Sequence, residues 1–255
     1  MASKRENQIS TYATKRDQDY RTEMHSYLQS LRHVPTIDLV NNFAKYAGRQ
    51  EITRFLAHYE LFRIVQEVQG CIIECGVFSG QGLMTWAQLS AIFEPVGGGF
   101  RKIYGFDTFS GFPNVHKKDL DNSLKLERKS GDLSSDSFSD LKRCIELFDK
   151  NRFMSQLPKV ELIRGDFAKT ANKFIKDNPH VLVSLLYLDF DLFEPTKKAI
   201  ELFIKRMPKG AVLAFDEINN PQWPGETLAL LETLDLRNLA IKKFPWDLYI
   251  SYIIL

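Results

Sequence analysis

A repeating alternation of short apolar runs and amphipathic stretches, which begins near residue 71, is the feature that most constrains this chain. The apolar runs are rich in Val, Ile and Leu and cover residues 71–76, 102–107, 160–164, 181–189 and 210–216. Stretches with apolar residues at helical spacing cover residues 80–93, 136–148, 168–176 and 195–206. Strands that alternate with helices predict a parallel sheet covered on both faces.

The chain closes with a different pattern. Residues 239–244 and 248–255 form two further apolar runs, separated only by Pro245, Trp246 and Asp247. A connection this short cannot cross over between parallel strands, so the last two strands are expected to be antiparallel. The predicted fold is therefore α/β, with a seven-stranded, mostly parallel sheet that ends in an antiparallel C-terminal hairpin.

The first 69 residues show helical patterns and no strand. Apolar residues recur at helical spacing over residues 49–69, and Gly70 ends the run. Residues 36–47 predict a shorter helix with Gly48 as its stop signal. We expect a helical N-terminal extension over residues 1–69, acting as a lid or an oligomer contact, and a catalytic domain over residues 70–255.

Composition excludes several classes of protein. The 255 residues carry a net charge of +2, from 34 basic and 32 acidic side chains, so no basic surface for nucleic acid is expected. No apolar run approaches the roughly 20 residues of a membrane helix, and the polar N-terminus lacks a signal-peptide core. An odd number of cysteines, with Cys71 and Cys75 in an apolar run, favours buried free thiols. The chain is thus expected to be soluble and cytoplasmic.

Two segments interrupt the alternation. Gly97, Gly98 and Gly99 stand between a predicted helix and a predicted strand, which favours a linker over a phosphate-binding turn. Residues 114–132 are polar and charged, and predict a long loop. Long loops in compact domains often cover substrates, so we expect this loop and the N-terminal helices to close over the acceptor.

The first strand runs directly into a glycine-containing turn. Gly76 and Gly80 permit a tight turn and the close approach of a ligand, and the next helix offers free N–H groups to an anion. The spacing of Gly76, Gly80 and Gly82 matches neither the dinucleotide fingerprint nor a phosphate-binding P-loop. The turn predicts a nucleotide-like cofactor, with an ordinary strand–helix turn as the alternative.

Acidic residues end the second and third strands. Asp107 is placed to accept hydrogen bonds from ribose hydroxyls, although an Asp there also caps turns. Asp166 is placed to meet an adenine amino group, with Phe167 stacking on the ring. The alternative for Asp166 is an N-cap of the following helix.

Four carboxylates end the next two strands. Asp189 and Asp191 point to the same side because strand side chains alternate, and Asp216 and Glu217 follow the neighbouring run. Ligands of such sheets bind beyond the carboxyl ends of the strands. Clustered carboxylates repel unless a cation neutralises them, and an all-oxygen set suits Mg²⁺, Mn²⁺ or Ca²⁺ rather than Zn²⁺. The alternative is that these acids cap helices.

Taken together, these motifs resemble the macrocin O-methyltransferase family. The segments that carry the resemblance are ECGVFSG from residue 74, GFDTFSGFP from residue 105, LDFDLFEPT from residue 188 and FDE from residue 215. The likeness extends from about residue 51 to the C-terminus. It implies a Rossmann-like class I methyltransferase fold, S-adenosylmethionine and Mg²⁺ as cofactors, a sugar or glycosylated small molecule as acceptor, and a homo-oligomer.

The resemblance also implies roles for individual residues. Asp189, Asp216 and Glu217 correspond to metal ligands and Asp191 to the general base, although the family commonly has Asp-Asp where this chain has Asp216-Glu217. The cofactor contacts it implies are Glu74, Gly76, Ser79, Gly80, Asp107, Thr108, Phe109, Asp166 and Phe167.

Three other functions compete with this interpretation. A methyltransferase for catechol-like phenols also uses metal-binding carboxylates. An NAD-dependent sugar-modifying oxidoreductase would use a similar sheet, but the chain has neither the standard glycine fingerprint nor the Tyr-x-x-x-Lys pair of the short-chain type. A non-catalytic assembly protein would leave the acids at the strand ends without a purpose.

Overall fold

The computed structural model describes residues 14–96, 101–120 and 128–255. Its contacts divide the chain into two compact units, Met1–Arg54 and Phe55–Leu255. The glycines of the expected linker, 97–99, and residues 121–127 of the expected long loop lie outside the described residues.

Helices make up the described part of the first unit. Helix α1 (Lys15–Ser30) begins with a capping box in which Thr14 and Asp17 satisfy each other's backbone N–H groups. The single helix expected over residues 36–47 is two short helices that break at Asn42, whose φ of −109° is not helical. The elements are α1 (Lys15–Ser30), α2 (Thr36–Asn41), α3 (Phe43–Tyr46) and the first residues of α4 (Arg49–Val65).

The second unit contains the seven-stranded sheet that the sequence predicts. Its strands are β1 (Cys71–Cys75), β2 (Ile103–Asp107), β3 (Val160–Arg164), β4 (Val183–Leu188), β5 (Val212–Phe215), β6 (Lys242–Lys243) and β7 (Ser251–Ile254). They lie in the order β3-β2-β1-β4-β5-β7-β6. The pairs among β1–β5 are parallel, whereas β7 is antiparallel to both β5 and β6. The expected fold class and C-terminal hairpin are confirmed.

The remaining helices of this unit connect the parallel strands or follow the last one. They are α5 (Gln81–Phe93), α6 (Phe138–Lys150), α7 (Phe167–Asp177), α8 (Phe193–Phe203) and α9 (Pro224–Thr233). Sequence patterning does not predict α9. Both hairpin strands are shorter than expected, and β7 begins late because the Asp247 carboxylate accepts the N–H groups of Tyr249 and Ile250 and folds them into the turn.

The hydrophobic core forms one layer on each face of the sheet. Strands β1, β4 and β5 are buried along their whole length, and alternate residues such as Ile72 and Ile73 enter opposite layers. In α4 the buried residues are Ala57, His58, Leu61, Phe62 and Val65. Phe55 and Leu56 of the same helix are exposed.

The two cysteines of β1 are buried free thiols, as the sequence predicts. Burial raises the pKa of the Cys71 thiol to about 12 and the pKa of Cys75 well above its usual value, so both stay protonated. Cys144 is free and exposed. None of the helices in the described part of the chain is long and apolar enough to cross a membrane.

Arg101 joins several elements at the amino-terminal edge of the sheet. Its buried guanidinium is 2.8 Å from a carboxylate oxygen of Glu94 and 2.6 Å from the Ser184 hydroxyl. It also donates to the backbone carbonyls of Val65, Gln66, Val68 and Gly70. A single cation thus satisfies the carbonyls at the end of α4 and fixes that helix to the strands.

Replacing Arg101 with Met should lower the free energy of unfolding by about 3–5 kcal/mol, because a buried carboxylate and several carbonyls lose their partner. Urea denaturation at neutral pH measures this loss. The control, Arg143→Met, removes an exposed ion pair with Glu146 and should cost far less. Equal losses in the two variants would contradict this role for Arg101.

Candidate active site

The order of the strands in the sheet reverses between β1 and β4, and the carboxyl ends of these two strands lie close together. A Cβ atom at position 76 would lie 1.9 Å from the carbonyl oxygen of Asp189, and Gly76 has a φ of +93°. Only glycine fits this position. The close approach places the predicted cofactor turn directly against the first residue of the acidic cluster, at the switch point where open α/β sheets bind ligands.

The turn after β1 combines an exposed polar residue with a buried carboxylate. Ser79 is exposed, and Gly80, in the left-handed conformation, provides no side-chain cap for α5. Glu74 is buried and accepts a 2.6 Å hydrogen bond from the Trp86 indole N–H. A Cβ at position 82 would lie 2.6 Å from the Glu74 carboxylate, so Gly82 lets the helix begin above it.

Asp107 connects the turns that follow β1 and β2. Its two carboxylate oxygens accept the N–H groups of Phe78, at 2.7 Å, and Phe109, at 2.6 Å. Each oxygen keeps a further lone pair for a ligand hydroxyl. The Thr108 hydroxyl closes the second turn onto the Gly111 carbonyl, while the Phe109 ring is buried in the core.

The structure places Asp166 and Phe167 at the start of α7. Asp166 is the N-cap of that helix and accepts the Ala168 N–H at 3.0 Å, which is the alternative that the sequence left open. The Phe167 ring is buried and packs edge-on against Phe106 and Phe190. Its ring is therefore part of the core.

The four predicted carboxylates lie at neighbouring strand ends, two after β4 and two after β5, and a fifth joins them. Glu226, in the first turn of α9, is fully buried. Its oxygens accept the backbone N–H groups of Asp191, at 3.2 Å, and Glu217, at 3.0 Å. Glu226 thereby holds the two loops that carry the predicted acids.

Burial and mutual repulsion raise the pKa values of three acids in this cluster. Burial, with the neighbouring charge of Asp189 next in importance, raises the pKa of both Asp191 and Glu226 well above the usual range. Burial and the charge of Asp216 raise the pKa of Glu217 to about 9. The cluster therefore disfavours full ionisation in the protein alone.

Two carboxylates of the cluster accept hydrogen bonds from protein side chains. Asp216 accepts the Tyr187 hydroxyl at 2.9 Å, and Glu217 accepts the Asn220 side-chain amide. Within residues 14–96, 101–120 and 128–255, no three His, Cys, Asp or Glu side chains converge in an arrangement that could hold a metal ion.

Strained backbone is concentrated at this edge of the sheet. Phe78, Phe109, Asp191 and Asn219 have positive φ angles between 51° and 62°, and they follow β1, β2, β4 and β5 respectively. Such conformations are uncommon for residues other than glycine, and they tend to occur at functional sites. The hydrogen bond from the Asp191 N–H to Glu226 helps to hold Asp191 in this conformation.

The described ends of the predicted long loop are attached beside the acids. Asp119 is buried and accepts the Phe193 N–H at 2.6 Å, at the start of α8. The Arg128 guanidinium lies 3.8 Å from the centre of the Trp223 ring and donates to the Gln222 carbonyl. Its positive charge acts on Asp191 in the direction that lowers the pKa of that carboxyl.

Sequence reasoning missed Glu226, Tyr187 and Arg128 as parts of the site. A signal for Glu226 was present, since Pro224 at the first helical position and an acidic residue in the first turn are typical of a helix start. Tyr187 reads as an ordinary core residue of an apolar strand. The position of Arg128 depends on the path of a loop, which periodicity does not predict.

The fold and the site agree with one protein family. The family model of the macrocin-O-methyltransferases (TylF) matches residues 48–227. The chain belongs to the macrocin-O-methyltransferase family. Membership confirms the resemblance inferred from the motifs and makes this protein an O-methyltransferase. Among curated proteins, the search finds no match.

Solved structures agree with this membership. CalS11, a calicheamicin methyltransferase, superposes with a TM-score of 0.88 at 30% identity, covering 96% of this chain and 94% of that one. The apo structure of CalS11, described as a TDP-rhamnose 3′-O-methyltransferase, gives 0.81 at 28% identity and covers 96% of both chains. The O-methyltransferase NovP shares the fold, with a TM-score of 0.61 at 19% identity over 80% of this chain and 79% of that one.

Removing the Glu226 side chain should destabilise the two loops that carry the strand-end acids. Glu226→Ala leaves two buried N–H groups without an acceptor, so we expect the free energy of unfolding to fall by about 2–4 kcal/mol. Glu232→Ala, on the exposed face of the same helix, is the matched control and should have a much smaller effect. Chemical denaturation of both variants tests this, and an unchanged Glu226→Ala stability would contradict it.

Proposed function

We propose that this protein transfers the methyl group of S-adenosylmethionine to a hydroxyl group of a sugar, carried by a nucleotide or by a glycosylated small molecule. The observation that carries the proposal is the direct contact between the glycine turn and the strand-end acids at the sheet's switch point. Family membership and the 30% identity to CalS11, whose described substrate is a TDP-linked sugar, support the choice of acceptor.

The cofactor would lie across the carboxyl ends of β1 and β2. Its methionine part would lie along the backbone of the turn that contains Gly76 and Gly80, beside the exposed Ser79. Asp107 is held by two backbone N–H groups and keeps lone pairs for the ribose hydroxyls. Asp166 is half-buried at the next strand end and remains a candidate contact of the adenine amino group. S-adenosylmethionine would supply an electrophilic methyl group there.

A divalent cation, Mg²⁺ in the first place, would be held by Asp189 and Asp216, with Glu217 as a third ligand. Carboxylate oxygens are the hard ligands that such an ion prefers, but the described side chains do not converge on one point, so binding would require them to turn towards a common centre. Glu217 would have to exchange the Asn220 amide for the metal. When bound, the ion would stabilise negative charge developing on the acceptor oxygen.

Asp191 is the proposed general base. A sugar hydroxyl has a far higher pKa than a carboxylate, so proton transfer to Asp191 becomes favourable only as negative charge on the oxygen is stabilised. Glu226 fixes the Asp191 backbone in its left-handed conformation and so orients the carboxylate. The remaining contribution of the protein is to hold donor and acceptor in line and to exclude water.

Asp191→Asn should abolish methyl transfer and leave cofactor affinity nearly unchanged, because the amide keeps the size of the side chain but accepts no proton. Turnover is measured by mass spectrometry of the acceptor, and S-adenosylhomocysteine binding by calorimetry. Asp177→Asn, an exposed position at the end of α7, is the matched control and should retain full activity. Retained turnover in Asp191→Asn would exclude this residue as the base.

The acceptor class is tested by direct competition between substrate types. Nucleotide-linked deoxysugars, glycosylated natural products and catechols are offered in parallel with isotopically labelled S-adenosylmethionine. We expect label in the sugar-containing acceptors. Label in catechols alone would replace the proposed acceptor with a phenol while leaving the methyl-transfer chemistry intact.

A further inference from the structure

The turn between β6 and β7, residues 244–250, carries three exposed hydrophobic side chains. Trp246, Leu248 and Tyr249 are 45%, 89% and 37% exposed, and they lie within four positions of the chain. Leu248 is more exposed than any other large hydrophobic residue in the described part of the protein. Single exposed hydrophobic residues are common on protein surfaces, but a contiguous group of them is typical of a binding surface.

Strand register places this turn at the carboxyl edge of the sheet, where the proposed site lies. β7 is antiparallel to β5, and its first residue, Ser251, is paired with Phe215, the last residue of β5. Ser251 is also paired with Lys243 at the end of β6. The turn therefore lies beyond the same strand end that Asp216 follows. Two strand spacings, about 10 Å, separate the start of β7 from the end of β4.

Hydrogen bonds close the turn in a defined conformation. The Asp247 carboxylate is buried and accepts the backbone N–H groups of Tyr249, at 2.9 Å, and Ile250, at 2.8 Å. The backbone N–H of Asp247 donates to the Phe244 carbonyl at 3.3 Å. A turn closed in this way needs little further ordering when a ligand arrives, so less of the binding free energy is lost as entropy.

Trp246 is the outer member of a stack of three aromatic rings. The Trp246 ring lies 5.4 Å from the Phe244 ring, with 26° between their planes, and the Phe244 ring lies 5.0 Å from the Tyr252 ring, with 24° between them. Phe244 and Tyr252 are buried, so the stack begins in the core and ends at a half-exposed indole. An indole held in this way is a surface on which a further flat ring can stack.

We propose that the turn over residues 244–250 binds the acceptor, with Trp246 stacking on one of its rings, an inference that rests on the proposed function. Sugar rings present flat faces of C–H groups, and nucleobases and aromatic aglycones present π-faces, so an indole stacks on either kind of ring. A nucleotide-linked sugar or a glycoside is long enough to reach from Asp191 to this turn. Trp246 thus selects a part of the acceptor that does not react.

The test measures two acceptor probes, TDP-rhamnose and para-nitrophenyl rhamnoside, by calorimetry with the full-length protein and S-adenosylhomocysteine. Trp246→Ala should weaken binding of a sugar probe about tenfold, equivalent to about 1.4 kcal/mol. In turnover with S-adenosylmethionine its KM should rise and its kcat should stay nearly unchanged, because stacking on a non-reacting ring is equally strong in the ground state and the transition state. Trp246→Phe keeps a ring and should recover most of the affinity.

Two controls separate stacking from general damage. Phe153 is an exposed aromatic residue in the segment before β3, at the opposite edge of the sheet, so Phe153→Ala should bind both probes like the wild type. S-adenosylhomocysteine should bind equally to all three variants. Titration of TDP alone identifies the ring: a loss of TDP affinity in Trp246→Ala assigns the stacked ring to the nucleobase, and unchanged TDP affinity assigns it to the sugar or the aglycone.

The outcomes distinguish this inference from the proposed function. Equal affinities of Trp246→Ala and the wild type for both sugar probes would overturn the role of the turn and leave methyl transfer standing. The same holds for a wild type that binds S-adenosylhomocysteine but neither probe, whereas a wild type that does not bind S-adenosylhomocysteine would overturn the proposed function as well. If analytical ultracentrifugation shows that Trp246→Ala changes only the oligomeric state, the turn contacts a second copy of this chain and the inference is wrong.

Discussion

At the carboxyl ends of β1 and β4, the backbone of Gly76 lies so close to the carbonyl of Asp189 that no side chain fits between them. This contact determines where everything else in the site can be. The turn that would bind the cofactor therefore lies beside the strand end that carries the acids. The strand order reverses at the same place, which is where open α/β sheets bind ligands.

Burying these acids close together lowers the stability of the folded protein, and interactions elsewhere in the fold compensate for that loss. Glu226 is buried among other carboxylates, yet it accepts two backbone N–H groups and so joins the loops after β4 and β5. Asp191 is held in a left-handed conformation that an ordinary loop would avoid. Strain and repulsion at one edge of a well-packed sheet are typical of a site built for charge stabilisation rather than for stability.

Sequence patterning predicted the sheet, its hairpin and the acids at the strand ends, because these features follow from the alternation of apolar runs with amphipathic stretches and from the position of each acid after an apolar run. It did not predict Glu226, which reaches the cluster from a helix that the pattern overlooked, or Tyr187, whose hydrogen bond to Asp216 depends on its register with Ala214. It also assigned Phe167 to a cofactor ring, whereas tertiary packing uses that side chain in the core. Contacts between distant elements are the part that local patterns do not encode.

The proposed function requires the carboxyl ends of β1 and β4 to bind a methyl donor. Calorimetric titration of the full-length protein with S-adenosylhomocysteine, repeated with Gly76→Ala, tests it most directly. The account predicts a single site with an affinity on the order of micromolar, and loss of binding in the variant, where the new methyl group would displace the Asp189 carbonyl. Absence of binding to the wild type would contradict the account.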